Sequence, residues 1–226
     1  HYINASLRDG RSVLAEGANA ALLDMDFGTY PYVTSSPTTA GGICTGLGIA
    51  PTKVNTVLGV VKAYTTRVGA GPFPTELADE VGQHLGTVGH EFGTTTGRSR
   101  RCGWLDLPVV HYSHALNDYA SLNITKLDVL TGLKELKLGT HYRIDGERLP
   151  HALMPSNLSD LAKVEVEYES MAGWDEDISQ VRIFEDLPAA AQAYIKRIEE
   201  LTEVPVGWIG TGPGREDMAT KGFIAE

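Results

Sequence analysis

Ala120-Ser121-Leu122-Asn123-Ile124-Thr125-Lys126-Leu127-Asp128 is the stretch on which the fold turns. Residues 120–124 read as a strand and Val129 opens a helix-like stretch, which sets Thr125 to Asp128 at a strand's carboxyl end. Ligands of open parallel sheets gather at such ends. A carboxylate there can accept two parallel hydrogen bonds from the N1–H and N2–H₂ of guanine, a pattern that adenine does not present. The Lys126 stem can lie along a purine face while its ammonium stays in water. A plainer reading fits the same residues: Asp128 N-caps the helix that begins at Val129.

Outward from this stretch, strands and helices alternate. Val13-Leu14-Ala15 reads as a short buried strand ending at Glu16-Gly17, and Val57 to Tyr64 as a second strand broken by Gly69-Ala70-Gly71-Pro72. Thr75 can cap a helix running to about Leu85, and Asp106 one from Leu107 to about Tyr119 with Pro108 in its first turn. Leu136 to Ile144 alternates as a strand and ends in an Asp145-Gly146 turn, while 146–185 is peripheral and hard to read. Ala189 to Leu201 is the clearest helix, with Ala190, Ala193, Tyr194, Ile198 and Leu201 on one face. Val204 to Ile209 is a strand running into Gly210-Thr211-Gly212-Pro213-Gly214. The pattern predicts an α/β fold, one domain over 1–226, with a mostly parallel sheet flanked by helices.

Composition narrows the function. The 226 residues carry a net charge of −10, which argues against a general nucleic-acid binder. No apolar run approaches membrane-spanning length, so no membrane partner is expected. Two cysteines, Cys44 and Cys102, form no disulfide framework and fit a reducing, cytoplasmic compartment. The chain starts at His1 and enters strand-like sequence almost at once, which suggests a fragment.

Three further loops carry chemistry. Thr94-Thr95-Thr96-Gly97-Arg98-Ser99-Arg100-Arg101 offers hydroxyls, backbone N–H groups and guanidiniums that match carboxylate or phosphate. The segment 24–48 is too long for an idle loop, and its Thr34-Ser35-Ser36 hydroxyls suit a phosphate or a helix cap. Gly210 to Gly214 lets a ligand approach the backbone, or is a plain turn. His111 and His114 lie three apart on a helix with no third metal ligand evident, and read as a surface pair. No Gly-x-x-x-x-Gly-Lys-Ser/Thr phosphate loop occurs.

Read together, the segments resemble adenylosuccinate synthetase. The carrying motifs are Glu16-Gly17-Ala18-Asn19, Asp26 to Ser36, Val61 to Gly69, Gly71-Pro72-Phe73-Pro74-Thr75-Glu76, Thr95-Thr96-Gly97-Arg98, Gly103-Trp104-Leu105-Asp106 and Thr125-Lys126-Leu127-Asp128. The resemblance implies the C-terminal part of a P-loop-NTPase-like α/β enzyme, a homodimer that joins IMP to L-aspartate with GTP and Mg²⁺. In that family the purine 6-oxygen is phosphorylated and the aspartate amine then displaces the phosphate. It further implies that Asn19, Thr34, Val68 and Arg98 bind IMP. Thr94, Thr95, Thr96, Gly97, Arg98, Ser99 and Arg100 would form a mobile aspartate loop. Arg100, Lys126, Leu127, Asp128, Gly210, Thr211 and Gly212 would bind GTP. The catalytic Asp base, the His acid and the metal ligands are expected in an absent N-terminal half, leaving this piece inactive alone. A non-catalytic guanine-nucleotide-binding regulator is the alternative.

Overall fold

The computed structural model describes residues 1–93, 97–151 and 153–222. In chain order it runs α1 (Tyr2–Arg8), α2 (Gly41–Leu47), β1 (Leu58–Lys62), β2 (Thr65–Arg67), α3 (Glu80–Val88), β3 (Arg101–Gly103), β4 (Leu105–Asp106) and α4 (Leu107–Asn117). It continues through β5 (Ser121–Thr125), β6 (Glu135–Ile144), β7 (Glu147–Arg148), α5 (Leu158–Leu161), β8 (Glu165–Ala172), α6 (Ala189–Thr202), β9 (Val206–Gly210) and β10 (Met218–Thr220).

Apolar runs rich in Val and Ile fill the central sheet, ordered β1-β5-β9-β10. Pairings β1–β5 and β5–β9 are parallel, and β10 closes the far side antiparallel. Parallel neighbours need long crossovers, which here carry helices α3 and α4 before β5 and α6 before β9. Leu122 and Ile124 of β5 are fully buried and share one core with Leu85 of α3, Val110 of α4 and Ile198 of α6. The expected parallel layer with flanking helices is therefore present. A second sheet, β4-β6-β7 with β8 also on β6, is mainly antiparallel and was not foreseen. No helix among the described residues is long and apolar enough to cross a membrane.

Several boundaries moved for identifiable reasons. Residues 13–15 form no strand: Leu14 is 91% exposed, and the chain opens instead with α1. Among the described residues nothing pairs with 13–15, and an unpaired strand has no ladder to hold it. Helix α3 begins five residues after Thr75, with Asp79 as its N-cap accepting from the Gly82 N–H at 3.0 Å. Thr75 instead lies in a turn closed by the Glu76 N–H on the Phe73 carbonyl, its own carbonyl receives the Trp104 N–H, and Glu76 bridges to Gly103. Asp106 caps α4 as expected, accepting from the Val109 N–H. The buried stripe of α6 is Ala191, Tyr194, Ile195, Ile198 and Thr202, so Ala193 faces solvent. A threonine can be buried there because its hydroxyl donates to the Ile198 carbonyl at 2.7 Å. The two α4 histidines are not a surface pair: His111 is buried with its ring 4.4 Å from that of His151.

Strand β1 stands at the end of the central sheet, with Val60 71% exposed on it. Its last turn is anchored from α6, whose buried Tyr194 hydroxyl donates to the Ala63 carbonyl at 2.8 Å. Ile198→Ala in α6 should lower unfolding free energy by about 2–4 kcal/mol, and Tyr194→Phe by about 1 kcal/mol. Urea unfolding should show both as a lower midpoint with an unchanged slope.

Candidate functional site

Parallel pairing sets three chain ends along one edge. Lys62 lies opposite Thr125, and Ile124 opposite Ile209, so the residues after β5 and β9 leave the sheet side by side. Gly210 touches that neighbour closely: a Cβ there would come within 3.2 Å of the Thr125 Cα and 3.3 Å of the Lys126 nitrogen. A larger residue at Gly210 would therefore have to push this backbone back by a few tenths of an ångström. The loop beyond it is tied by Asp217, which accepts from the Gly214 N–H at 2.8 Å and pairs with Arg182 at 2.8 Å. Thr211 is fully buried, and its hydroxyl donates to the Val181 carbonyl. That hydroxyl is structural here.

Lys126 leaves β5 in the left-handed region, with φ of +60°. A side chain in this conformation costs about 1–2 kcal/mol and marks a place worth explaining. It lets the chain turn sharply into one 3-10 turn, Leu127–Leu130, rather than a helix capped by Asp128. Leu127 is buried as an anchor. Asp128 is half-buried, and its Oδ1 is buried with no hydrogen-bond partner. Burial raises its pKa, and the nearby Asp217 charge adds to the rise. An unpaired buried oxygen costs about 1–3 kcal/mol, which a ligand donor would relieve.

Glu91, overlooked in the sequence, organises what lies next to this edge. It is 1% exposed and accepts from Lys62 Nζ at 2.9 Å, Lys126 Nζ at 2.8 Å, Arg100 at 3.0 Å and the Tyr64 hydroxyl at 2.7 Å. Burial works to raise its pKa, but the hydrogen bonds from Lys126, Tyr64 and Lys62 prevail and hold it at about 2. Burial conversely lowers the pKa of Lys62. The Lys126 ammonium also donates to the Gly89 carbonyl at the end of α3, where a cation is favoured. Glu91 starts a short hairpin: Phe92 bridges to Ser99, and the Arg100 N–H donates to the Glu91 carbonyl. Gly97, at φ of +62°, and Arg98 belong to its far end. Thr94, Thr95 and Thr96 lie outside the described residues.

The remaining candidates sit on a separate loop system. Asp24 is buried and accepts from the N–H groups of Thr38, Phe27 and Asp26, which outweigh burial and lower its pKa. That carboxylate shapes the Ser/Thr-rich segment carrying Thr34, whose own N–H donates to the Leu23 carbonyl. Arg67 reaches from β2 to the Thr29 hydroxyl at 2.9 Å, joining this segment to Val68, which is 54% exposed. Arg101 pairs with Glu76 and donates to the Gly71 carbonyl, so it is a strut and not a free anion receptor. Asn19 is exposed.

A cavity of about 360 Å³ lies between α3 and the hairpin and includes Gln83, Thr87, Ser99, Arg100 and Cys102 in its lining, but neither Lys126 nor Asp128. The cavity thus takes in Ser99 and Arg100 of the basic hairpin but not the Lys126–Asp128 edge. The orphaned Asp128 oxygen is the stronger sign of a ligand, because an empty surface hollow costs little and an unpaired buried acceptor costs much. Among the described residues no group of three His, Cys, Asp or Glu side chains could hold a metal ion.

The family model for adenylosuccinate synthetase matches residues 1–219. The chain belongs to the adenylosuccinate synthetase family. It is 58% identical to the adenylosuccinate synthetase of Paramecium tetraurelia over 95% of this chain and 49% of that protein. The corresponding protein of Phytophthora infestans is also 58% identical, over 97% of this chain and 40% of its own length. The solved structure of fully ligated adenylosuccinate synthetase from Plasmodium falciparum superposes with a TM-score of 0.95 at 50% identity, covering 97% of this chain and 52% of that one. The chain therefore spans about half the length of the synthetases it matches.

Replacing Glu91 by Gln leaves three cations without their shared counter-charge and should cost about 2–4 kcal/mol of stability at pH 7. The pH dependence has a definite sign. Glu91 is held below its usual range, so its contribution is complete above about pH 4.5 and is lost as pH falls toward 2. Acid unfolding followed by circular dichroism should be steeper between those values for the native sequence than for Glu91→Gln.

Proposed function

We propose that this chain is the C-terminal portion, within a single domain, of a GTP-dependent ligase that condenses IMP with L-aspartate to adenylosuccinate, a step toward AMP. The observation that carries this reading is the buried, unpartnered Asp128 oxygen at the carboxyl end of β5, beside Lys126 and the Gly210 loop. Asp128 accepts the guanine N1–H and N2–H₂, Lys126 covers the ring, Leu127 anchors the turn, and the backbone of Gly210 to Gly212 borders the base. Arg98 and Arg100, with Gly97, Ser99 and Thr94 to Thr96, take the aspartate carboxylates. Asn19, Thr34, Val68 and Arg98 take IMP, with Thr34 at its phosphate.

The chemistry asks for such a set. GTP's terminal phosphoryl passes to the IMP 6-oxygen, and the aspartate amine then replaces it at C6, releasing phosphate. Both steps gather negative charge, which fixed guanidiniums stabilise best where water is excluded. A short arginine-bearing hairpin that closes over substrate provides both conditions. Mg²⁺ supplies charge neutralisation when bound to the nucleotide, and its ligands belong to sequence outside this chain, as do the catalytic acid and base. The protein acts in the cytoplasm as a homodimer.

The native gene product with Asp128→Asn should lose at least about tenfold in kcat/KM for GTP and gain relative preference for XTP, whose 2-oxo group suits an amide donor. Unaltered GTP kinetics would refute the guanine assignment. Arg98→Leu should raise the aspartate KM by about tenfold or more with little effect on the GTP KM. Equal changes in both would remove the hairpin from aspartate recognition. A non-catalytic regulator would bind GDP yet form no adenylosuccinate under any of these conditions.

A further inference from the structure

One side chain joins two of the loops assigned above, and it is not itself placed against any substrate. Glu91 opens the hairpin that carries Arg98 and Arg100, and its N–H is fixed to the Gly86 carbonyl at 2.9 Å. One carboxylate oxygen receives Lys126, Lys62 and the Tyr64 hydroxyl, and the other receives Lys62 and Arg100. Lys126 is two residues from Asp128, and Arg100 two from Arg98. Three cations thus share a single buried anion, and two of them are substrate-facing residues in the proposed reading. The Arg100 Nε is buried without a partner, so the guanidinium is only partly satisfied by Glu91 and retains a donor for another acceptor.

From this geometry we infer that Glu91 is a positioning residue that couples aspartate binding to guanine-nucleotide binding. The inference rests on the assignment of Asp128 to guanine and of the hairpin to aspartate. When a substrate carboxylate draws Arg100 away, the Glu91 charge is shared among fewer cations and attracts Lys126 more strongly. Lys126 in its left-handed turn then stations the Asp128 carboxylate more firmly for the base. The reverse holds by linkage: a nucleotide that fixes the Lys126 turn loosens the competition for Arg100. Lys62 and Tyr64, held on the same carboxylate, keep it in place while the exchange occurs.

The test is a binding cycle on the native gene product with IMP present throughout. GDP affinity is measured by calorimetry with and without saturating L-aspartate. The native protein should bind GDP about tenfold more tightly with aspartate, and Glu91→Gln should bring that ratio near one. Thermal unfolding run alongside establishes that the variant is folded at the assay temperature. Where it is not, Glu91→Asp, whose shorter reach cannot hold all three cations, is read by the same ratio and should reduce it several-fold. A folded Glu91 variant with the native ratio overturns the inference. A native protein that binds both ligands without coupling also overturns it and leaves the substrate assignments standing. A native protein that binds neither ligand refutes those assignments themselves.

Discussion

Parallel pairing of β1, β5 and β9 is the constraint from which the site follows. Because the strands run the same way and in fixed register, Lys62, Lys126 and Gly210 emerge on one edge without any direct sequence signal linking them. Antiparallel pairing of β5 with either neighbour would send one of these loops to the far end of the sheet. The helices that make parallel connection possible supply the core as well. Leu85, Val110, Tyr194 and Ile198 bury the strands from their crossovers, so the same chain segments that return the strand also hold it.

Electrostatics refine what topology assembles. An isolated acid in a dry setting would be neutral, but Glu91 keeps its charge because three cations and a hydroxyl surround it. Asp128 is the opposite case, with burial raising its pKa and one oxygen left without a donor. The first arrangement is complete and stabilising. The second is incomplete within the described residues, and incompleteness of that kind is what a binding group shows before its ligand arrives.

What could be read in the sequence was what is local. The β5 run, the Asp106 cap with Pro108 in the turn after it, and the Asp145-Gly146 turn each depend on residues within a few positions, and each stands in the structure. The Thr125 to Asp128 segment was legible only as a strand end, because the helix expected from Val129 is a single 3-10 turn over Leu127–Leu130. Glu91 was not, since its side-chain partners lie 9 to 35 residues away and only the tertiary fold brings them together. Strand β8 was a different failure. Its alternation Glu165-Val166-Glu167-Tyr168-Glu169 has the period of a strand, but so many charges mask a segment that pairs antiparallel with β6. Thr75 shows the limit of capping rules, because a buried backbone contact with Trp104 outweighed its propensity to start a helix.

Leu58 and Val60, apolar and open to water on the terminal strand of the central sheet, have a practical consequence. Among the described residues no strand pairs with its outer side, so its amides and carbonyls stand next to a greasy surface, a template for adding a foreign strand. Preparations of the 226-residue polypeptide by itself should consequently self-associate as concentration rises, and a charged replacement at Val60 is the direct remedy for handling it in solution.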